Sequence, residues 1–241
     1  MRNDKKKTDD VFRHELKYRI TTTQRDIIAA KLECFLQRDA HVENGSYTIR
    51  SLYFDDRVNS AYEEKRMGVA NRKKYRIRCY NYSDSTIKLE CKNKQGNYIC
   101  KEAAMLSGDE AERILERDYA CLAHRTEPVC KCFYYQCMTN QMRPRVIVDY
   151  ERIPYVFEQG DVRITFDSHI REAVLMDSFF DAGLPSFDVM EPYELIMEVK
   201  YTAFLPEFIR EILAASEAVQ EAASKYVMCC DSRLRRNEVL I

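Results

Sequence analysis

The sequence predicts an α+β fold, an antiparallel sheet or barrel with helices packed on its outside. Three observations predict it. Segments with strict apolar/polar alternation recur along the chain, which is the period of a strand with one buried face. Short turns join several of them directly, as in hairpins. Few helical segments separate them, which argues against the alternating order of a doubly wound parallel sheet. With 241 residues, 46% of them hydrophobic, the chain can bury a full core. It has no internal repeat and no Pro/Gly/Ser-rich linker, so residues 12–241 read as one domain. The charged segment 1–11, opening MRNDKKKTDD, reads as a disordered tail.

The elements follow in order. FRHELKYRI (12–20) alternates as a strand. TTTQRDIIAAKLECFLQRD (21–39) opens with helix-start residues and spaces Ile28, Leu32, Phe35 and Leu36 as a helix does. YTIRSLYFDD (47–56) is a strand, with Asp55 and Asp56 capping its end and turn. ANRKKYRIRCYNY (70–82) is a strand followed by a turn at SDS (83–85). TIKLECKNK (86–94) and YICKEAAM (98–105) flank KQGN as a hairpin. GDEAERILERDYACLAH (108–124) is a helix with acids in its first turn, where the helix dipole favours them. A Cys- and aromatic-rich connection leads to two strands, 143–157 and 161–170, around Gln159-Gly160. YELIMEVKY (193–201) is a further strand, and Pro206 opens a helical region with a break near residue 216.

Composition narrows the function. Lys and Arg (38) balance Asp and Glu (39), so no overall field draws nucleic acid or an anionic membrane. No apolar run approaches the roughly 18–20 residues that span a bilayer, and the N-terminus lacks the apolar core of a secretory signal. The ten cysteines include no CxxC pair, and the four histidines are scattered. Of the cysteines only Cys130, Cys132 and Cys137 approach zinc-ligand spacing; they read as thiols that behave as small hydrophobes in a reducing cytoplasm. His14, on the apolar side of its strand, reads as a core histidine. The absence of GxxxxGK[ST] excludes a P-loop nucleotide site.

The polar faces of the strands carry the signal. Arg13, Glu15 and Lys17 share one face; so do Arg76 and Arg78, and so do Lys88, Glu90 and Lys92. Glu194, Glu198 and Lys200 lie opposite Leu195, Met197 and Val199, while Arg163 and Arg145 adjoin apolar runs. Two arrangements fit. An open sheet would bathe these charges in water; a closed one would turn them inward, with helices covering the apolar outside. Lys17, Arg76, Arg78, Lys88, Lys92, Arg145, Arg163 and Lys200 make eight bases against Glu15, Glu90 and Glu198. Gathered in one cavity, such bases need a polyanion to neutralise them, and the glutamates are what a hard divalent cation requires.

RHELKY, SLYFDD, KKYRIRCYN, IKLECKNK, PRVIVDYER, VRITFD, LIMEVKY and SKYVMC, in this order, resemble the vacuolar transporter chaperone (VTC) domain. That domain is the polyphosphate polymerase branch of the CYTH-like triphosphate tunnel metalloenzymes. The resemblance implies a closed antiparallel β-barrel tunnel lined by bases, with helices outside. It implies transfer of the ATP γ-phosphoryl group onto a growing polyphosphate chain, with Mn²⁺ or Mg²⁺ as cofactor. Carried over, Lys17, Arg76, Arg78, Lys88 and Glu198 are the catalytic set. Lys17, Arg76, Arg78, Lys88, Lys92, Arg145, Arg163, Lys200 and Lys225 bind substrate; Glu198, with Glu15 and Glu90, holds metal. The expected partners are ATP and polyphosphate, triphosphate or pyrophosphate, with no nucleic acid and with room for a membrane-protein partner. The alternatives are a triphosphatase of the same fold and a noncatalytic polyphosphate-binding module. The superfamily's triphosphatases open with ExExK, but this chain has Arg13-His14-Glu15-Leu16-Lys17. A base in place of the first carboxylate leaves less capacity to activate water, which favours transfer over hydrolysis.

Overall fold

Period-two alternation becomes strands whose two faces meet different surroundings. The computed structural model describes residues 13–239 except 40, 41, 43, 44, 97, 175 and 177. The expected disordered tail at 1–11 and the ends of the expected domain therefore lie outside the described residues. Strand β1 (His14–Thr21) stops where Thr21 caps α1 (Thr22–Leu32). Thr21 Oγ accepts the Gln24 amide at 3.2 Å and the Gln24 side chain accepts the Thr21 amide at 2.9 Å, a reciprocal box that satisfies two orphan donors. The short β2 (Gln37–Arg38) and the long β3 (Tyr47–Asp55) follow, then α2 (Ser60–Arg66). Strands β4 (Asn71–Tyr80), β5 (Ser83–Gln95) and β6 (Tyr98–Leu106) form a meander. Helix α3 (Gly108–Leu115), a 3₁₀ turn at Tyr119–Leu122 and α4 (Pro128–Asn140) lead to β7 (Arg143–Phe157) and β8 (Val162–Ala173). The chain ends with β9 (Ser186–Asp188), β10 (Glu194–Tyr201), α5 (Glu207–Ala214), β11 (Val219–Gln220) and α6 (Lys225–Val239).

The sheet runs β11-β1-β10-β8-β7-β3-β4-β5-β6, with β2 on β7 and β9 on β8, and every pairing is antiparallel. Its ends meet: Arg13, just before β1, bridges Ile99 of β6. The sheet thus rolls into a barrel, as the resemblance implied. Outward side chains pack under helices in two clusters. Tyr75, Ile77, Ile87 and Leu89 meet Ile114 of α3 and Phe133 and Cys137 of α4. Ile164, Phe166, Leu195 and Met197 meet Ile28 and Leu32 of α1 and Ile209 and Ile212 of α5. Helix α6 behaves differently. Tyr226, Cys229 and Cys230 pack on Val146, Val148 and Tyr150. Those β7 residues share the parity of the inward-facing Arg152, so α6 lies against the inner wall.

Local differences from the sequence expectation have physical causes. The β4–β5 turn falls at Asn81-Tyr82, both with positive φ (50° and 58°), the primed geometry that matches strand twist. Residues 83–85 therefore open β5 instead of forming the turn. Helix α1 ends at Leu32, and the expected helix 108–124 splits after Leu115. Segment 128–140, read as a connection, is α4; Pro128 starts it, and Val129, Cys130, Phe133 and Cys137 form one buried stripe. Helix α2 also escaped notice. Asp55 accepts the Ala61 and Tyr62 amides at 2.9 and 3.1 Å, which makes the predicted cap at this acidic pair the start of that helix. The break near residue 216 is present, between α5 and α6.

The ten cysteines are free thiols. No helix among the described residues is long and apolar enough to cross a membrane.

Candidate functional site

Inward-facing residues of β1, β4, β5, β7 and β10, with the first turn of α6, line a cavity of about 880 Å³. Eleven Lys and Arg side chains border it against three carboxylates, Glu15, Glu198 and Glu221. The charged faces therefore look into the barrel, which settles between the two arrangements left open by pattern alone.

The deep part of the cavity is internally neutralised. Lys17 Nζ sits between Glu15 (3.3 Å) and Glu198 (3.1 Å). Glu198 also accepts from Lys225 at 3.0 Å and Lys200 at 2.7 Å, with Arg152 at 3.6 Å. Glu15 accepts from Lys92 at 2.8 Å across the lumen, from β5 to β1. Burial alone would raise both carboxyls; for Glu15 the ammonium groups of Lys92, Lys17 and Lys200 outweigh it, and for Glu198 those of Lys17, Lys200 and Lys225 do. Both stay ionised far below the usual carboxylate range. Asp167 anchors Arg152 through two bonds of 2.6 and 2.7 Å and contacts Lys225 at 2.5 Å. Arg76 is held by Glu90 (2.8 Å) and the Tyr53 hydroxyl (2.9 Å). Arg78 donates to Ser51 Oγ and the Tyr150 hydroxyl at 3.2 and 3.0 Å.

The outer part is not neutralised. Lys65, Arg72, Lys74 and Lys94 form no salt bridge with a carboxylate among the described residues. Lys74 approaches Ser224 Oγ (3.4 Å) and the face of Tyr226 (4.7 Å). Burial, then the charges of Lys17, Arg72, Lys65 and Lys92, hold Lys74 well below the ordinary lysine value. Burial likewise lowers Lys65, Arg72 and Lys94, and it brings Lys92 down to about 8 in spite of Glu15. Crowded, desolvated cations of this kind are relieved by an anion.

Of the expected site residues, Lys17, Arg76, Arg78, Lys92, Lys200, Lys225, Glu15 and Glu198 line this one cavity. Four do not. Glu90 lies behind Arg76, 1% exposed and also bound by Lys101, so it serves as a counter-ion. Lys88 stands opposite Arg78 in register but lies over Tyr80 (5.8 Å). Arg163 pairs with Asp39 (3.0 Å) and Tyr47 (3.2 Å). Arg145 sits at the β3–β7 bulge, where its carbonyl accepts from Arg233. Strand reading missed Arg72, Lys74 and Lys94, although each continues the parity of Arg76 or Lys92. It also missed Arg152 and Asp167, which no alternation marks clearly. Lys65, on the unrecognised α2, gave no signal. His14 stands at the rim, stacked on Tyr201 at 4.8 Å, and is not a core residue.

The donor set fits a divalent cation of one kind. Among the described residues no three His, Cys, Asp or Glu side chains cluster as a ready metal cage. Glu15 and Glu198 nevertheless converge on one point, the place of the Lys17 ammonium. Two hard carboxylates suffice for an ion that takes the rest of its shell from phosphate oxygens and water.

A VTC domain family model matches residues 12–233. The chain belongs to the VTC domain family. Among curated protein sequences none matches this VTC domain. Solved structures do share its fold. A Bacillus halodurans protein described as an adenylate cyclase candidate superposes with a TM-score of 0.54 at 14% identity, over 88% of this chain and 95% of its own. A Hippeastrum adenylyl cyclase candidate, described as having dominant triphosphatase activity, gives 0.55 at 11% identity over 92% and 95%. A Vibrio parahaemolyticus adenylate cyclase candidate gives 0.52 at 12% over 90% and 97%. At such identities the likeness is one of fold.

Proposed function

We propose that this VTC domain transfers the γ-phosphoryl group of ATP to the end of a polyphosphate chain within the barrel. The observation that carries the reading is the charge balance of the cavity. Eleven bases face three carboxylates, and every oxygen of Glu15 and Glu198 already contacts a lysine or arginine. Such a lining would stabilise a chain of phosphates, and Arg13 in place of a first carboxylate leaves less capacity to activate water. Phosphoryl transfer asks for positioning and charge stabilisation more than covalent chemistry. Arg76 and Arg78 would offer non-bridging phosphate oxygens the N–H groups that Glu90, Tyr53, Ser51 and Tyr150 leave free. Lys17, Lys92 and Lys200 supply point charges where negative charge develops. The acceptor, a terminal phosphate, is anionic at neutral pH and needs no general base. Lys74, Arg72 and Lys94 add further bases to the same lining. Glu198 and Glu15 would hold Mn²⁺ or Mg²⁺, which supplies charge neutralisation between phosphate oxygens. Lys88, Arg145 and Arg163 remain outlying bases that could meet a longer chain. A single domain over 12–241, cytoplasmic placement and room for a membrane-protein partner belong to the same proposal.

The second reading is a triphosphatase, which the activity described for the Hippeastrum neighbour favours. Incubation of the purified protein with ATP and Mn²⁺, followed by a gel that resolves polyphosphate from orthophosphate, separates the two. Long chains that vanish in Glu198→Ala and Arg76→Ala are expected. Orthophosphate alone would replace the polymerase with the triphosphatase. Binding of polyphosphate without turnover would leave only a binding module.

A further inference from the structure

Strands β4 and β5 place like charges directly opposite one another on the face that lines the cavity. Arg72 stands across from Lys94, and Lys74 across from Lys92. Such pairs destabilise a sheet, and these two lie two residues apart, roughly 7 Å along the strand. Lys92 is compensated by Glu15 at 2.8 Å. Arg72, Lys74 and Lys94, joined by Lys65 of α2, form no salt bridge with a carboxylate among the described residues.

The four act on one another. Beyond burial, the charges of Arg72 and Lys94 bear on Lys65, that of Arg72 on Lys94, and those of Arg72 and Lys65 on Lys74. Three of them rest on neutral acceptors. Lys65 donates to the Ala222 carbonyl at 2.9 Å, Arg72 to the Val69 carbonyl and Lys74 to Ser224 Oγ at 3.4 Å. Glu64, whose charge Arg72 feels, makes no salt bridge to it, and Glu221 is taken by Arg19 at 3.2 Å. The exposed Gln95 and Gly96, next to Lys94 at the end of β5, also line the cavity, so this side of it reaches the surface.

Resting on the reading of the cavity as a phosphate-transfer site, we propose that Lys65, Arg72, Lys74 and Lys94 form a subsite of their own, which takes the acceptor phosphate chain without a divalent cation. The chemistry separates the two halves. Around Lys17 the bases are already matched by Glu15 and Glu198, so an anion enters there only as those carboxylates find another cation. Around Lys74 nothing has to be displaced except neutral donor–acceptor contacts, and the anion relieves two like-charge rungs at once. A hard cation has no carboxylate ligand to hold it there. Donor and acceptor chains therefore differ in what they require: the donor comes with metal, the acceptor comes bare.

Calorimetry of tripolyphosphate with the full chain tests the subsite. In excess chelator one equivalent should bind, about tenfold weaker in Lys65→Met and in Lys94→Met. Lys131→Met, which removes the same charge from the exposed side of the outer helix α4, should stay within about twofold of wild type. The melting midpoint of Lys94→Met should not fall, since the change removes a like-charge contact. Added Mg²⁺ should bring a second equivalent, absent in Glu198→Gln and present in Lys94→Met. Metal-free binding that ignores Lys65 and Lys94, or that weakens equally in Lys131→Met, would overturn the subsite. Failure of the wild type to bind with or without Mg²⁺ would bring down the cavity reading and the subsite together. Kinetics test the acceptor: Lys94→Met should raise the KM for tripolyphosphate about tenfold and leave that for ATP within about twofold. An equal rise in both would overturn the acceptor assignment. If ATP is hydrolysed and no polymer forms, that assignment falls with the polymerase reading, and calorimetry alone decides the metal-free subsite.

Discussion

Lys74 is held in the folded protein against its own electrostatics. It is crowded by Lys17, Arg72, Lys65 and Lys92, with Ser224 and the Tyr226 ring beside it and no salt bridge to a carboxylate among the described residues. A desolvated charge without a counter-ion costs stability, so Lys74→Met should raise the thermal midpoint by roughly 2–6 °C. The same change should weaken tripolyphosphate binding about tenfold, each 1.4 kcal/mol being one decade. A variant both less stable and equally tight would show that Lys74 is structural. Lys92 makes a pH argument. Its value of about 8 in the folded protein lies below the 10.5 of a free lysine. Between the two the unfolded chain binds more protons, so this group's destabilisation is fully present below pH 8 and is relieved as pH rises toward 10.5. A bound polyanion restores the charge. Calorimetry at pH 8.5 in two buffers of different ionisation heat should therefore show net proton uptake on tripolyphosphate binding, reduced in Lys92→Met. At this scale parity made Lys17, Arg76, Arg78, Lys92, Glu198 and Lys200 legible. It could not tell that Lys88 and Arg163 sit apart from the main cavity, because strand tilt in a barrel decides height along the axis.

Helix α6 is the element on which the cavity depends most. Its first residue, Lys225, reaches Glu198 and Asp167, and its second, Tyr226, donates to Asp55 at 2.5 Å. Asp55 also caps α2, whose Tyr62 hydroxyl donates to Asp231 of α6 at 2.5 Å. One buried carboxylate thus ties β3, α2 and α6 together. Asp55→Ala should cost about 2–4 kcal/mol from the lost cap and the orphaned donors, which lowers the melting midpoint by roughly 5–15 °C. An unchanged midpoint in a thermal melt would remove Asp55 from that role. The strands were legible because each has one apolar and one polar face. Helix α4 was not, since its stripe is made of Cys130, Phe133 and Cys137 within a segment rich in tyrosine and cysteine. The turn at 81–82 was displaced because Ser83, Asp84 and Ser85 look like turn residues while Asn81 and Tyr82 adopt the left-handed backbone.

Closure belongs to the whole molecule and could not be read from any strand. Alternation is equally consistent with an open and a rolled sheet. The difference lies in the rung between Arg13 and Ile99, residues far apart in the chain. Its electrostatic consequence is global: the net charge of the chain is −1, yet the lumen concentrates bases. Tripolyphosphate at a hundred times its dissociation constant should add about 2.7 kcal/mol of stability. The melting midpoint should then rise by roughly 5–10 °C. The rise should shrink between about 0.05 and 0.5 M salt, although less than for surface ion pairs because the lining is enclosed. A midpoint indifferent to the anion would sink the cavity as an anion site.

Lys17, seated between Glu15 and Glu198, makes the deep cavity an ion exchanger. A phosphate that recruits Lys17 takes it from two carboxylates and strands their negative charge. Glu15 and Glu198 would hold a divalent cation only as Lys17 leaves them for a phosphate, so the two binding events would be coupled. Anion and cation would then strengthen each other's binding, which calorimetry of tripolyphosphate with and without Mg²⁺ reads directly.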